Sequence, residues 1–340
     1  MTTTIASRFS RGRNAPKHFK APPAATHIGA RLGAAFPDVY GSWGMLNAVG
    51  GIGNQFATSR CVPFATKKSF GLFQYGQSGT PVEFSADWIY ALALSEIRRV
   101  ELGGGPAAGA SAADVQAFAQ LLLANPLTDE GSEPSALFDA ARRIGIAPES
   151  AWPTGVPFSP KEMDLGGALA GDIWLPEAAG FTSLVAVPGP ALTQAALAGL
   201  MPFADGKMGQ CVQVSIGSST PTFDAADGSR PLLASDFNQS YDHGVVGALG
   251  TLTSLVVSQL FGRALTAAEQ ADSPSGRWFV LANSWDATQW CPATKLPELN
   301  AAGQPTGNTI AFPGAAIISE AALWTMTDFS VVAETVPAAA

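Results

Sequence analysis

Helical and strand signals occupy different halves of this 340-residue chain, and this division limits the possible folds. Apolar residues spaced three and four apart predict helices in the first half, and short apolar or alternating runs predict strands in the second. The predicted helices cover 61–76, 85–102, 112–124 and 133–144. The predicted strands cover 210–217, 243–249, 277–283 and 308–319. Separate runs of helices and strands are typical of an α+β architecture rather than of alternating βαβ units.

The overall composition excludes several classes of protein. Hydrophobic residues make up 47% and charged residues 14% of the chain, which indicates a globular protein. The net charge of −8 argues against a nucleic-acid partner, and no run of 18 apolar residues predicts a membrane span. Cysteines at 61, 211 and 291 fit neither a disulfide framework nor a metal motif. With no secretory signal peptide seen, we expect a cytoplasmic protein, or part of a particle assembled there, without cofactor or metal.

The N-terminal segment differs from the rest in charge. The first 37 residues contain six Lys or Arg and no Asp or Glu, together with four prolines. We interpret residues 1–40 as an extended basic arm. Three roles remain open for it: a solvated tail, a pro-segment that blocks a cleft, or an arm that contacts a neighbouring subunit.

Three residues of the globular region have the chemistry of a nucleophilic site. Cys61 follows a glycine-rich loop at a predicted helix start, where N–H groups and the helix dipole favour a thiolate. His243 lies in a strand-like run, and the other two histidines belong to the basic arm. Asn283 ends a predicted strand, beside Trp285. Taken singly, each has a plain alternative: a small buried residue, a structural histidine and a turn cap.

Taken together, the segments around these residues resemble papain-like cysteine peptidases. NQFATSRCVPFAT is similar to the family's active-site segment, in which a glutamine, here Gln55, precedes the nucleophile by six residues. YDHGVVGALG resembles the histidine strand, and LANSWDATQW resembles the asparagine segment. DEGSEPSALFDAARRIGIAPESAWP resembles a stretch found in bacterial members of the family. The resemblance covers roughly residues 41–330, in the family's order.

This resemblance implies a two-lobed fold with the active-site cleft between a helical lobe and a β-barrel-like lobe. We expect residues 41–185 to form the helical lobe that carries the nucleophile. Residues 186–332 would form the β-rich lobe that carries the histidine and asparagine, and 333–340 a C-terminal tail. The chain would act on a peptide or protein substrate.

The resemblance also assigns a role to each site residue. It implies that His243 takes the proton of Cys61 and that Asn283 orients the imidazole, so that peptide bonds are hydrolysed through a thioester. The Gln55 amide and the Cys61 N–H would form the oxyanion hole. Trp285 would shield the His–Asn hydrogen bond. Gly131 and Ser132 would pair with the substrate backbone.

Departures from the family pattern keep two other functions open. Arg60 precedes the nucleophile, where its charge would favour a thiolate and its bulk would obstruct the cleft. Residues 250–276 are predicted to be an inserted loop, and a second insertion follows Cys291. One alternative is therefore a structural or binding component of a larger assembly, for example a virion or secretion particle, with little or no activity. Another is a different acyl transfer, such as amidase or transglutaminase-like chemistry.

Overall fold

The computed structural model describes most of the chain from residue 39 to residue 335. The described residues are 39–104, 111–125, 129, 131–132, 137, 145–155, 181–187, 211–300 and 303–335. Residues 1–38, which make up almost all of the basic arm, lie outside them, as does almost all of the helix predicted over 133–144.

The first half of the described chain is helical, and each long helix has a recognisable start or end. Helix α2, Cys61–Ser78, ends where Gly79 adopts a left-handed conformation with φ of 71°. Helix α3, Ala86–Glu101, begins after Ser85, whose side chain accepts a hydrogen bond from the backbone of Trp88. The helices predicted over 61–76, 85–102 and 112–124 are confirmed. The remaining described helices are α1 Trp43–Leu46, α4 Ala112–Ala124, α5 Pro221–Asp224, α6 Ser254–Phe261, α7 Ala267–Asp272 and α8 Glu320–Trp324.

The second half, joined by the short strand β1 from the start of the described chain, forms an antiparallel sheet of eight strands that curves into a half-barrel. Seven strands run in the order β1-β5-β6-β4-β3-β10-β2, and β9 pairs with β6 along Trp278–Ala282. A separate hairpin joins β7 and β8. The strands are β1 Tyr40–Gly41, β2 Phe181–Val187, β3 Val212–Gly217, β4 Asn238–Ala248, β5 Gly250–Thr253, β6 Arg277–Ala282, β7 Lys295–Leu299, β8 Pro305–Ala311, β9 Ala315–Ser319 and β10 Thr327–Thr335. The α+β prediction is confirmed.

Two sequence predictions of local structure are wrong. The run 308–319 is not one strand, because Pro313 has no N–H to donate and Gly314 turns the chain with φ of 83°. Its first part belongs to the β7–β8 hairpin, and its second part joins the main sheet. Residues 250–276 are not a loop, since they contain β5, α6 and α7. The lobe boundaries stay predictions, and β2 crosses the one placed at 185/186.

Helix α2 is buried over most of its length and packs against strand β4. A Cβ atom on Gly244 would lie 2.8 Å from Val62 Cγ2 and 3.2 Å from Val62 Cα. Only a residue without a side chain lets the strand come this close to the first turn of the helix. This contact positions the functional site, because Cys61 precedes Val62 and His243 precedes Gly244.

Candidate active site

Cys61 is the first residue of α2, as its position before the apolar helical run predicts. Pro63 occupies the first turn, where a missing N–H costs no intrahelical hydrogen bond. The backbone N–H of Cys61 therefore lies ahead of the helical hydrogen-bond ladder, at the positive end of the helix dipole. The side chain is fully buried.

The imidazole of His243 is oriented by Asn283. His243 Nε2 lies 2.7 Å from Asn283 Oδ1, and the backbone N–H of Ser284 donates to the same oxygen at 2.7 Å. Because a backbone N–H can only donate, the atom it meets must be the amide oxygen, which can only accept. His243 Nε2 therefore carries a proton. In the neutral ring the basic nitrogen is then Nδ1.

Aromatic rings enclose this histidine–asparagine pair. The rings of Trp285 and His243 have centroids 4.8 Å apart, with an angle of 31° between their planes. Trp285 in turn packs edge-on against Phe223, at 5.5 Å, and against Trp290, at 6.1 Å. All these rings are buried, and a hydrogen bond shielded from water in this way is electrostatically stronger than one in solvent.

Gln55 is fixed against the asparagine segment by Ser284. The Gln55 N–H donates to the Ser284 carbonyl at 2.8 Å, and the Ser284 hydroxyl donates to Gln55 Oε1 at 2.6 Å. Gln55 Nε2 donates to the carbonyl of Thr58 at 2.8 Å, so the orientation of the amide is defined. Ser284 thus joins the loop before the nucleophile to the strand that carries Asn283. We assigned it no role from the sequence.

Arg60 does not lie on the cleft surface. Its guanidinium is fully buried and forms an ion pair with Asp87, which is also fully buried. It also donates to Thr58 Oγ1 at 2.9 Å and stacks on Phe64 at 5.5 Å, and Asp87 accepts from the backbone of Gly155 at 2.6 Å. The expectation that Arg60 obstructs the cleft is therefore wrong, because Asp87 holds its side chain inside the helical region.

Gly131 and Ser132 lie beside the nucleophile loop, connected to it through Asp129. The Ser59 N–H donates to Asp129 Oδ1 at 3.0 Å, and the Tyr90 hydroxyl donates to the same oxygen at 2.7 Å. The Tyr90 oxygen accepts from the Gly131 N–H at 3.0 Å. Burial, and then the neighbouring charge of Asp129, raise the pKa of Tyr90 far above its usual value, so the hydroxyl keeps its proton.

Lys68 is a buried cation beneath the site. Its Nζ donates to the carbonyl oxygen of Asn283 at 2.9 Å, joining the middle of α2 to the asparagine segment. Burial, aided by the charge of Lys67, lowers the pKa of Lys68 to about 7.

Burial also raises the pKa of the Cys211 thiol to about 12 and that of the Cys291 thiol well above its usual value. These two cysteines therefore remain thiols at neutral pH.

The structure brings Cys61, His243, Asn283, Gln55 and Trp285 to one place, and it puts Gly131 and Ser132 beside the nucleophile loop. The sequence interpretation missed Ser284, Lys68, Tyr90, Asp129 and the partner of Arg60. Only Ser284 had a local signal, since it stands inside the Asn-Ser-Trp triplet.

Among the described residues, no group of three or more His, Cys, Asp or Glu side chains is placed to hold a metal ion. Within the same residues, no helix is long and apolar enough to cross a membrane.

Sequence comparisons give no match for this chain, whereas structural comparisons do. No protein-family model matches it, and no curated protein matches it. Among solved structures it is similar to a recombinant stem bromelain precursor, with 12% identity over 94% of this chain and 76% of the other, and a TM-score of 0.51. The proform of a ragweed pollen cysteine protease gives 15% identity, coverage of 94% and 72%, and a TM-score of 0.51. Procathepsin B of Trypanosoma congolense gives 13% identity, coverage of 96% and 87%, and a TM-score of 0.56.

These similarities establish the fold. The chain has the papain-like two-lobed fold, with a helical part and a half-barrel sheet, as the sequence resemblance implied. At 12–16% identity they establish the fold alone, and the activity has to be argued from the residues of this chain.

Proposed function

We propose that this protein is a divergent, bacterial-type papain-like cysteine peptidase that hydrolyses peptide bonds with Cys61, His243 and Asn283. The observation that carries the proposal is the hydrogen bond between His243 Nε2 and Asn283 Oδ1. It fixes the tautomer in which Nδ1 is the basic nitrogen, on a strand packed against the helix turn that begins with Cys61. A protein with a purely structural role has no need of this particular set of residues.

The proposed reaction proceeds in two halves. His243 Nδ1 takes the proton of the Cys61 thiol, and the thiolate adds to the substrate carbonyl carbon. The Gln55 amide and the Cys61 N–H stabilise the oxyanion. The imidazolium then donates its proton to the leaving amine as the C–N bond breaks, leaving a thioester on Cys61. Water, deprotonated by His243, hydrolyses this thioester, which restores the thiol and releases the carboxylic acid.

An epoxysuccinyl peptide probe tests this proposal directly, because it alkylates activated peptidase thiols. We expect one adduct on the intact protein that is absent from Cys61→Ala and strongly reduced in His243→Ala. The high pKa of Cys211 and of Cys291 makes a competing adduct at these thiols slow. A chain starting at Pro37 runs in parallel, to separate an inactive site from one covered by the basic arm. No adduct in either version, with Cys61 still open to iodoacetamide, refutes the peptidase.

One observation favours a second function. Cys61, His243, Asn283 and Gln55 are all fully buried, so a peptide reaches the thiol only after covering residues move. A papain-like fold kept for binding or assembly, for example in a virion or secretion particle, needs no such opening. In that role the basic arm would contact a neighbouring subunit, and the protein would belong to a particle assembled in the cytoplasm. Light scattering on the full chain and on the chain starting at Pro37 tests the arm, since equal oligomeric states would contradict the subunit contact.

A further inference from the structure

The loop before Cys61 and the segment 131–132 are far apart in sequence and are connected by one carboxylate. Asp129 Oδ1 accepts from Ser59 N at 3.0 Å and from the Tyr90 hydroxyl at 2.7 Å, and Oδ2 lies 3.3 Å from the same Ser59 nitrogen. Ser59 stands two residues before the nucleophile. The carboxylate thus contacts the nucleophile loop and helix α3 at the same time.

Tyr90 extends this connection to the other segment. Its ring is fully buried in α3, and its oxygen accepts the N–H of Gly131 at 3.0 Å while its proton goes to Asp129. The chain Ser59–Asp129–Tyr90–Gly131 therefore spans the region between the two segments. We call it the Asp129 clamp.

We propose that Asp129 is a positioning residue, which sets the spacing between the nucleophile loop and the substrate-pairing segment 131–132. The proposal rests on the proposed function for the pairing role of that segment. Hydrogen bonds to an ionised acceptor are roughly twice as strong as neutral ones, and the Tyr90 hydroxyl passes this anchoring on to Gly131. The clamp consists of hydrogen bonds alone, so reducing agents leave it intact.

The clamp has a structural consequence that does not depend on catalysis. Asp129→Ala removes the acceptor of two donors, so the Ser59 amide and the Tyr90 hydroxyl lose their common partner. We expect hydrogen exchange in peptides spanning 55–62 and 131–132 to accelerate at least fivefold in Asp129→Ala. Tyr90→Phe should accelerate the second peptide and affect the first less. Asp129→Asn keeps an oxygen that accepts both bonds but loses the charge, so its exchange should be faster than in the wild type and slower than in Asp129→Ala.

Two alkylating reagents test the functional consequence. Iodoacetamide needs only the Cys61 thiol, whereas an epoxysuccinyl peptide also has to pair with 131–132. In Asp129→Ala the peptide reagent should react about tenfold more slowly, while the rate with iodoacetamide changes less than twofold. For a cleavable peptide, KM should rise while kcat stays within threefold of the wild-type value. Asp114→Ala is the matched control, because Asp114 is exposed and its carboxylate accepts a local hydrogen bond from the Ser111 hydroxyl, which caps the same helix.

Each outcome decides the proposal. Unchanged exchange in Asp129→Ala, or equal slowing of both reagents, overturns it, since the carboxylate would then hold nothing or would disturb the thiol itself. If the wild type takes no peptide adduct but Asp129→Ala still accelerates exchange, the peptidase is refuted and the clamp stands as a structural connection. If the alanine variant fails to fold, Tyr90→Phe still tests the proposal, because it removes the hydroxyl that joins Asp129 to Gly131. Unchanged exchange of the 131–132 peptide in Tyr90→Phe would then overturn it.

Discussion

The two sides of the candidate site are built in different ways. The histidine side is a continuous antiparallel sheet in which His243 lies in the middle of β4 and Asn283 directly follows β6. The rings of Trp285 and its neighbours cover both residues. The cysteine side is held by polar pairs between separate segments: Arg60 with Asp87, Ser59 with Asp129, and Lys68 with the Asn283 carbonyl. On the first side, backbone register and apolar packing set the geometry. On the second side, individual charged groups set it through ion pairs and hydrogen bonds with distant segments.

The largest expected effect comes from breaking the buried pair on the cysteine side. Asp87→Ala leaves the fully buried Arg60 guanidinium without its counter-charge, which typically lowers the free energy of unfolding by about 3–5 kcal/mol. Urea unfolding followed by circular dichroism measures this. The double variant Arg60→Met with Asp87→Leu is the control and should recover most of the loss. A loss below about 1 kcal/mol in Asp87→Ala would contradict the claim that this side depends on paired charge.

Lys68 predicts a pH dependence of stability. Its folded pKa of about 7 is below the unfolded value of about 10.4, so between these values the unfolded chain binds more protons. Stability therefore rises with pH in this window, by about 1.4 kcal/mol per pH unit from this group alone. The neighbouring titratable groups are Lys67, whose charge lowers the pKa of Lys68, and Cys211, whose effect is the opposite. Thermal unfolding at pH 8 and pH 9.5 should show about 2 kcal/mol more gain in the wild type than in Lys68→Met. An equal rise in stability between pH 8 and pH 9.5 in the two proteins would mean that Lys68 is exposed to water rather than buried beneath the site.

A methyl group at the contact between the two sides should disturb both. Gly244→Ala puts a Cβ within 2.8 Å of Val62 Cγ2, and overpacking of this kind costs about 1–3 kcal/mol. Strand β4 then moves away from α2, and alkylation of Cys61 should slow about tenfold, the equivalent of about 1.4 kcal/mol. Gly44→Ala is the control, since a Cβ there meets Leu299 at an ordinary 3.4 Å. Unchanged stability and unchanged alkylation in Gly244→Ala would show that the close approach is not needed.

The smallest expected effect concerns the turn after Gln55. Phe56 has a left-handed backbone with φ of 54°, and its ring is 46% exposed, so strain there is not offset by burial. Phe56→Gly should raise the free energy of unfolding by about 0.5–1 kcal/mol, and Phe56→Ala, which keeps a Cβ, should change it less. Urea midpoints of the three proteins measure this. A destabilised glycine variant would mean that the ring packs where the structure shows it exposed.

The same contrast explains how much the sequence could predict. Gln55, Cys61, His243, Asn283 and Trp285 were found because each lies in a short segment whose neighbours identify it. The three helices near 61, 85 and 112 followed from apolar spacing and capping residues, because both signals are local.

The cysteine side could not be predicted in the same way. Asp129 contacts Ser59 across 70 positions, and Lys68 contacts Asn283 across 215, so no spacing rule connects them. Arg60 was expected to obstruct the cleft because of its bulk beside Cys61, and only the position of Asp87 shows that its side chain is held in the interior. The strand predicted over 308–319 failed for a different reason. Apolar residues continue on both sides of Pro313 and Gly314, so the turn that these two residues indicate was read as part of one strand.

The central claim is that the two sides meet to activate Cys61, and the alkylation rate of Cys61 by iodoacetamide at neutral pH tests it most directly. Wild type and His243→Ala are compared by intact mass, with Cys61→Ser as the blank. If His243 activates the thiol, the wild type should react at least ten times faster than His243→Ala, and Asn283→Ala should fall between them. Equal rates in wild type and His243→Ala would contradict the account, because the histidine would then be a neighbour of the cysteine without acting on it.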